Sequence, residues 1–139
     1  MPQSSSCRPR LRCSFVIGEV RSFHSPDLED IDAWVPPDPD RFGFLLQVMI
    51  GPKGGEGEES FSIQVCSPGW LADRYVRDGI VMGRHHLIVF EYDIAKIKAF
   101  ISKFVSLSPA ATWVEVAAKI GRLGHWEFED YDDRRPYTP

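Results

Sequence analysis

Cysteine is scarce. The 139 residues hold three, Cys7, Cys13 and Cys66, and no two stand at C-x-x-C spacing. That spacing excludes a disulfide scaffold, a zinc ribbon and a thioredoxin-like redox pair. Long apolar runs are also missing. The longest, Phe42 to Ile50, contains Gln47 and is about half of the ~20 residues that a membrane-spanning helix needs. Basic charge is in the minority, with 16 Lys and Arg against 20 Asp and Glu and a net charge of −4. A general nucleic-acid binder usually carries a basic face, so direct nucleic-acid binding is not expected. Arg8, Arg10 and Arg12 imitate the start of a signal peptide, but only Phe15-Val16-Ile17 follows before Gly18 and Glu19. That run is too short for a signal core. Unpaired thiols without a leader point to a cytoplasmic chain with no membrane contact. No internal repeat is visible.

What is present is the mixture of a globular domain: 43% hydrophobic and 26% charged residues. The length suits one core. Residues 1–10 read as a loose tail, 11–131 as a single domain and 132–139 as a second tail.

Along the domain, residues 11–23 suit a first strand, and the Asp- and Pro-rich stretch 25–41 suits a loop with one short strand. Phe42 to Ile50 is apolar at both parities, the pattern of a strand buried on both faces. Gly51, Pro52, Gly54, Gly55 and Gly57 then force a turn, and residues 60–66 alternate, so the pair reads as a hairpin. Ser67 followed by Pro68 is a helix start, with Trp70, Leu71 and Tyr75 on one face and Gly79 as the stop. Leu87-Ile88-Val89-Phe90 reads as a central strand within residues 84–92. Asp93 caps a helix whose apolar stripe runs through Ile94, Ile97, Phe100, Ile101, Phe104 and Val105. Thr112 and Glu115 form a capping box before a third helix that carries Trp113, Val116, Ala117, Ile120 and Leu123 to Gly124. Residues 125–131 alternate again and suit an edge strand or an ordered tail. Strands come first and helices later, which favours α+β. The expectation is a mainly antiparallel sheet of about four to six strands, with about three helices packed on one face.

Chemistry-bearing motifs are few. Gly51-Pro-Lys-Gly-Gly-Glu-Gly-Glu-Glu59 is not a phosphate loop, because Lys53 precedes the glycines, three glutamates follow, and a strand comes next. His85 and His86 would point to opposite faces of a strand and so cannot share a metal there. His24, His85, His86 and His125 show no zinc spacing. His125 is suited to a helix C-terminus. Cys66 precedes a helix start, a place that can lower a thiol pKa, but no nucleophile elbow accompanies it. No metal and no cofactor are expected.

Acidic patterning is more informative. Asp27, Glu29, Asp30, Asp32, Asp38 and Asp40 form one cluster, and Glu56, Glu58 and Glu59 a second. Glu127, Glu129, Asp130, Asp132 and Asp133 form a third, interleaved with Trp126, Phe128 and Tyr131. Carboxylates solubilise a surface, but they also steer a basic partner while aromatics supply anchors. The candidate partner-binding residues are Glu56, Glu58, Glu59, Trp126, Glu127, Glu129, Asp130, Tyr131 and Asp133.

Several stretches in order resemble the immunity protein 8 family of bacterial polymorphic toxin systems. They are Phe42 through Phe61, Val65-Cys-Ser-Pro-Gly-Trp-Leu, Gly83-Arg-His-His-Leu-Ile-Val with Glu91-Tyr-Asp, Thr112-Trp-Val-Glu-Val-Ala, and Gly124-His-Trp-Glu-Phe-Glu-Asp-Tyr131. The resemblance implies a non-enzymatic α+β protein that binds and blocks a cognate toxin encoded beside it. It carries over no catalytic residues. The alternative from the residues themselves is a small α+β enzyme or ligand-binding domain using Cys66 or a histidine.

Overall fold

A computed structural model describes residues 14–129. Its centre is a hairpin. β2 (Gly43–Pro52) and β3 (Glu59–Cys66) pair antiparallel from Gly43↔Cys66 to Ile50↔Glu59. β1 (Gly18–His24) pairs antiparallel on the other side of β2, with an irregularity between Val20 and Ser22. The second edge of β3 is divided between two short strands. β4 (His86–Ile88) runs parallel to its C-terminal part, at Gln64 to Cys66. β5 (His125–Trp126) runs antiparallel to its N-terminal part, at Phe61 and Ser62. The result is a five-stranded, mostly antiparallel sheet in an α+β domain with three helices, as the order of elements predicts.

The helices start where the chain supplies side-chain acceptors. Ser67 Oγ accepts from the Trp70 N–H ahead of α1 (Pro68–Tyr75). Asp93 Oδ1 accepts from Lys96 N–H ahead of α2 (Ile94–Ser106). Thr112 and Glu115 complete the reciprocal box at α3 (Trp113–Ile120). Each satisfies a donor that the first turn leaves without a partner. α2 buries Ile97, Ile101 and Val105, and α3 buries Val116, Ala117 and Ile120. They meet Phe44, Leu46, Val48, Ile50, Phe61, Ile63 and Val65 from the sheet in one core. A Cβ at Gly18 would stand 2.9 Å from Val105 Cγ1 and 3.2 Å from Ile120 Cδ1, so the glycine lets α2 and α3 close on β1.

Several expectations need correction. Of the first strand expected at 11–23, residues 11–13 lie outside the described residues, and the strand itself begins at Gly18, with Val16 ahead of it bridging Ala110. Residues 25–41 contain no strand. They turn on carboxylates: Asp30 Oδ1 accepts from Asp32 N–H, and Asp38 Oδ1 from Asp40 N–H. Trp34 anchors the segment edge-on to Phe44 and Tyr92, at 5.5 and 5.3 Å between ring centroids. β2 is not buried on both faces. Its burial alternates, leaving Leu45, Gln47 and Met49 half-buried. The run at 87–90 is no central strand. Only His86–Ile88 pairs, at an edge, and Ile88 and Phe90 are exposed. An apolar run alone does not say whether its surface is covered. α1 ends at Tyr75, and Gly79 closes the following turn at φ 69°, donating its N–H to the Tyr75 carbonyl. α3 is closed by Gly121 rather than Gly124.

Candidate functional site

The loop 51–59 folds over itself because glycine supplies two left-handed positions, Gly54 at φ 77° and Gly57 at φ 88°. Arg21 ties it down from β1. Its Nη2 donates to the Pro52 carbonyl at 2.8 Å and to the Gly55 carbonyl at 3.0 Å, and Glu19 Oε1 lies 3.5 Å from its Nε. The side chains of Glu56 and Glu58 stand exposed on this platform.

Glu59 does something else. Its Oε1 accepts from the indole N–H of Trp113 at 2.9 Å and from that of Trp126 at 2.8 Å. A half-buried indole needs an acceptor, and here one carboxylate oxygen serves two of them from α3 and β5. One residue further, Ser60 N–H donates to Glu127 Oε1 at 2.6 Å. Trp126 stacks on Phe61 at 6.4 Å with an interplanar angle of 11°, and Phe128 meets Trp126 edge-on at 6.0 Å. The second acidic cluster and Glu127 of the third, far apart in the chain, therefore share one end of the molecule.

The remaining candidates fall into two groups. Glu129 lies at the end of this segment and turns inward. Its Oε2 pairs with Arg84 Nη2 at 2.9 Å, while its buried Oε1 has no hydrogen-bond partner and lies 3.5 Å from His85 Nε2. Asp130, Tyr131 and Asp133 lie outside the described residues. The Asp27–Asp40 cluster sits elsewhere and serves the backbone and α2: Asp27 Oδ2 accepts from Leu45 N–H at 2.8 Å, and Asp32 pairs with Lys98 at 2.6 Å. Sequence reasoning missed Arg21, Ser60 and Trp113 as parts of the acidic end. The signal available for Trp113 was its indole N–H, which required an acceptor that no local residue supplied.

The histidines also differ from expectation. His85 is not on a strand but in a turn, at φ 64°. Its Nε2, not a nitrogen of His125, lies 2.8 Å from the Gly121 carbonyl oxygen at the end of α3. His125 is exposed and meets the His85 ring edge-on at 5.4 Å. Among the described residues no group of three or more His, Cys, Asp or Glu is placed to hold a metal. No helix among them is long and apolar enough to cross a membrane.

Cys66 is fully buried, and burial pushes its thiol up rather than down from the ordinary 9.0. Burial and, second, Asp32 push the Tyr92 phenol up from the ordinary 10.0. Above those values the unfolded chain loses protons that the folded chain keeps. These two groups therefore leave stability unaffected below about pH 9 and lower it as pH rises beyond that. The urea midpoint should decline through that window, and in a Cys66→Val variant the decline should begin later, near the tyrosine. A midpoint that rises across the window would contradict the burial of both groups.

The arrangement defines a class: an α+β domain on a mostly antiparallel sheet, with an acidic end assembled from two distant stretches. The family model described as Immunity protein 8 matches residues 18–131, and the chain belongs to that family of immunity proteins. No match was found among curated proteins or among solved structures.

Proposed function

We propose that this protein neutralises a cognate toxin domain by covering the toxin's basic surface with its acidic end, without chemistry of its own. Membership of an immunity family supports a toxin partner. The observation that carries the choice of surface is the contact of Trp126 with Glu59 and of Glu127 with Ser60, at the foot of the loop that carries the exposed Glu56 and Glu58. A toxin that acts on nucleic acid must carry positive surface, because phosphate contacts dominate such affinity. Exposed Glu56 and Glu58 speed encounter with that surface. Phe128, which is 41% exposed, and the half-buried Trp126 add apolar contact that salt does not screen. The proposal also includes Asp130, Tyr131 and Asp133, which lie outside the described residues. The chain would act in the cytoplasm of the cell that makes the toxin.

The test replaces Glu56 and Glu58 with Gln in one variant and Glu127 with Gln in another. Association with the product of the neighbouring toxin gene is then followed at low and high salt. The Glu56/Glu58 variant should associate about tenfold more slowly at low salt, the lower end of electrostatic steering, and approach the parent at high salt. Unchanged rates and salt dependence in both variants would remove this face from the reading.

A further inference from the structure

Two unusual features meet beside β5. His85 is the one non-glycine residue at positive φ among the described residues, at 64°. A residue with a side chain pays for that conformation and keeps it only where its surroundings fix it. Here they do. The His85 carbonyl accepts from the Gln64 N–H of β3 at 2.9 Å, and the next residue, His86, donates its N–H to the Gly83 carbonyl at 3.2 Å. The second feature is Glu129 Oε1, a buried carboxylate oxygen with no hydrogen-bond partner among the described residues. Such an oxygen calls for an explanation. It lies 3.5 Å from His85 Nε2, so the two features are one place.

The polar groups around that nitrogen set its role. Nε2 lies 2.8 Å from the Gly121 carbonyl oxygen and 3.0 Å from Arg84 Nε. With its proton on Nε2, the ring serves the Gly121 carbonyl and faces the orphan oxygen with a donor. With the proton on Nδ1, it would turn a lone pair to both oxygens, so the proton belongs on Nε2. Arg84, one residue earlier, takes the other carboxylate oxygen, Nη2 to Oε2 at 2.9 Å. Adjacent residues of one turn thus face the two oxygens of one carboxylate. The His85 and Glu129 side chains are only 16% and 21% exposed, so solvent screens their contact less than it screens a surface pair.

The segment that Glu129 belongs to gives this grip its meaning. β5 has only two residues in register with β3, Trp126 on Phe61 and His125 on Ser62, fewer than an ordinary strand. Beyond it the chain is fastened at two points. Glu127 exchanges hydrogen bonds with Ser60, its N–H to the Ser60 carbonyl at 3.1 Å and its Oε1 from the Ser60 N–H. Glu129 is held by the turn before β4. Phe128, 41% exposed, stands between the two fastenings.

We infer that Arg84 and His85 are positioning residues for the toxin surface. By gripping Glu129 they fix the segment that presents Glu127 and Phe128, and they act through that carboxylate rather than by contact with the toxin. The inference rests on the reading of the acidic end as the toxin-binding face.

Hydrogen exchange of the free full-length chain measures the grip, read at the Glu127 and Glu129 amides, which donate to the Ser60 and Trp126 carbonyls. Dissociation of the product of the neighbouring toxin gene measures its consequence. His85→Gly is the decisive variant. Glycine adopts a positive φ without strain, so if His85 only completed the turn, its replacement would leave both amides and the toxin unaffected. The inference expects exchange at both amides to rise about five- to tenfold, with toxin dissociation faster by a similar factor. Arg84→Glu should act in the same direction, and Arg84→Lys, which keeps the charge, should retain most of the hold. Circular dichroism verifies that every variant is folded. Unchanged exchange in both His85→Gly and Arg84→Glu overturns the inference. So does loosened exchange with toxin dissociation at the parent rate, where the Glu56/Glu58 or Glu127 variant does alter toxin association. If those variants leave the toxin unaffected as well, the acidic face has failed as the toxin surface and the positioning role falls with it. A failure confined to the Arg84 and His85 variants overturns this inference alone.

Discussion

Phe61→Ala should lower stability by about 3–5 kcal/mol, the usual range for truncating a buried phenylalanine. The upper half of that range is expected here. Phe61 is fully buried on β3, opposite Val48 of β2 and Trp126 of β5. Its ring stacks on Trp126. The site has little freedom to collapse, because β3 is hydrogen-bonded along both edges. Close approach at Gly124 adds to this, since a Cβ there would stand 2.8 Å from Ile63 Cγ1 and 3.3 Å from Phe61 Cβ. The cavity therefore stays open, and the loss of its contacts adds to the loss of apolar burial. Urea unfolding followed by circular dichroism measures the change. A loss below about 1 kcal/mol would show that Phe61 is not packed as described.

Glu59→Ala should cost about 2–4 kcal/mol. It removes one acceptor from two half-buried indole N–H groups, and hydrogen bonds to a charged partner contribute about 1.5–3 kcal/mol each. The two share a single oxygen, so their contributions are not independent and the sum falls short of twice one bond. Glu59→Gln should cost less, because its amide oxygen still accepts. The substitution also unties α3 from β5 at the point where both reach the hairpin. Tryptophan fluorescence reports this directly, since the indoles of Trp113 and Trp126 lose their common partner. A cost under about 0.5 kcal/mol would mean that water replaces the carboxylate at both indoles.

The comparison between sequence and structure follows the range of each signal. Local chemistry was legible. Ser67, Asp93 and the Thr112–Glu115 box each start a helix where they stand. The stripe through Ile97, Ile101 and Val105 faces the core. The glycines of 51–57 make the hairpin turn. Edge position was not legible. Leu87-Ile88-Val89-Phe90 has the composition of an interior strand, and only the strand order, with β4 at its end, shows that no strand among the described residues pairs its outer side. The acidic end was half legible. Its carboxylates were visible as charge runs, but Glu59 and Trp126 meet only through the antiparallel register of β5 on β3. Nor does a charge run reveal which members work internally. Glu59, Glu127 and Glu129 hold indoles, a backbone amide and an arginine, while Glu56 and Glu58 stand exposed.

The way Arg21 grips the hairpin has a consequence for how such a surface changes over generations. Its guanidinium donates to main-chain oxygens of residues 52 and 55. The loop's path is thereby separated from its lettering. Provided that Gly54 and Gly57 keep their left-handed turns, the exposed positions Lys53, Glu56 and Glu58 can be rewritten one at a time at little cost to folding. At the interface proposed above, charge and shape can then change in single steps, each made on a loop that is already in place.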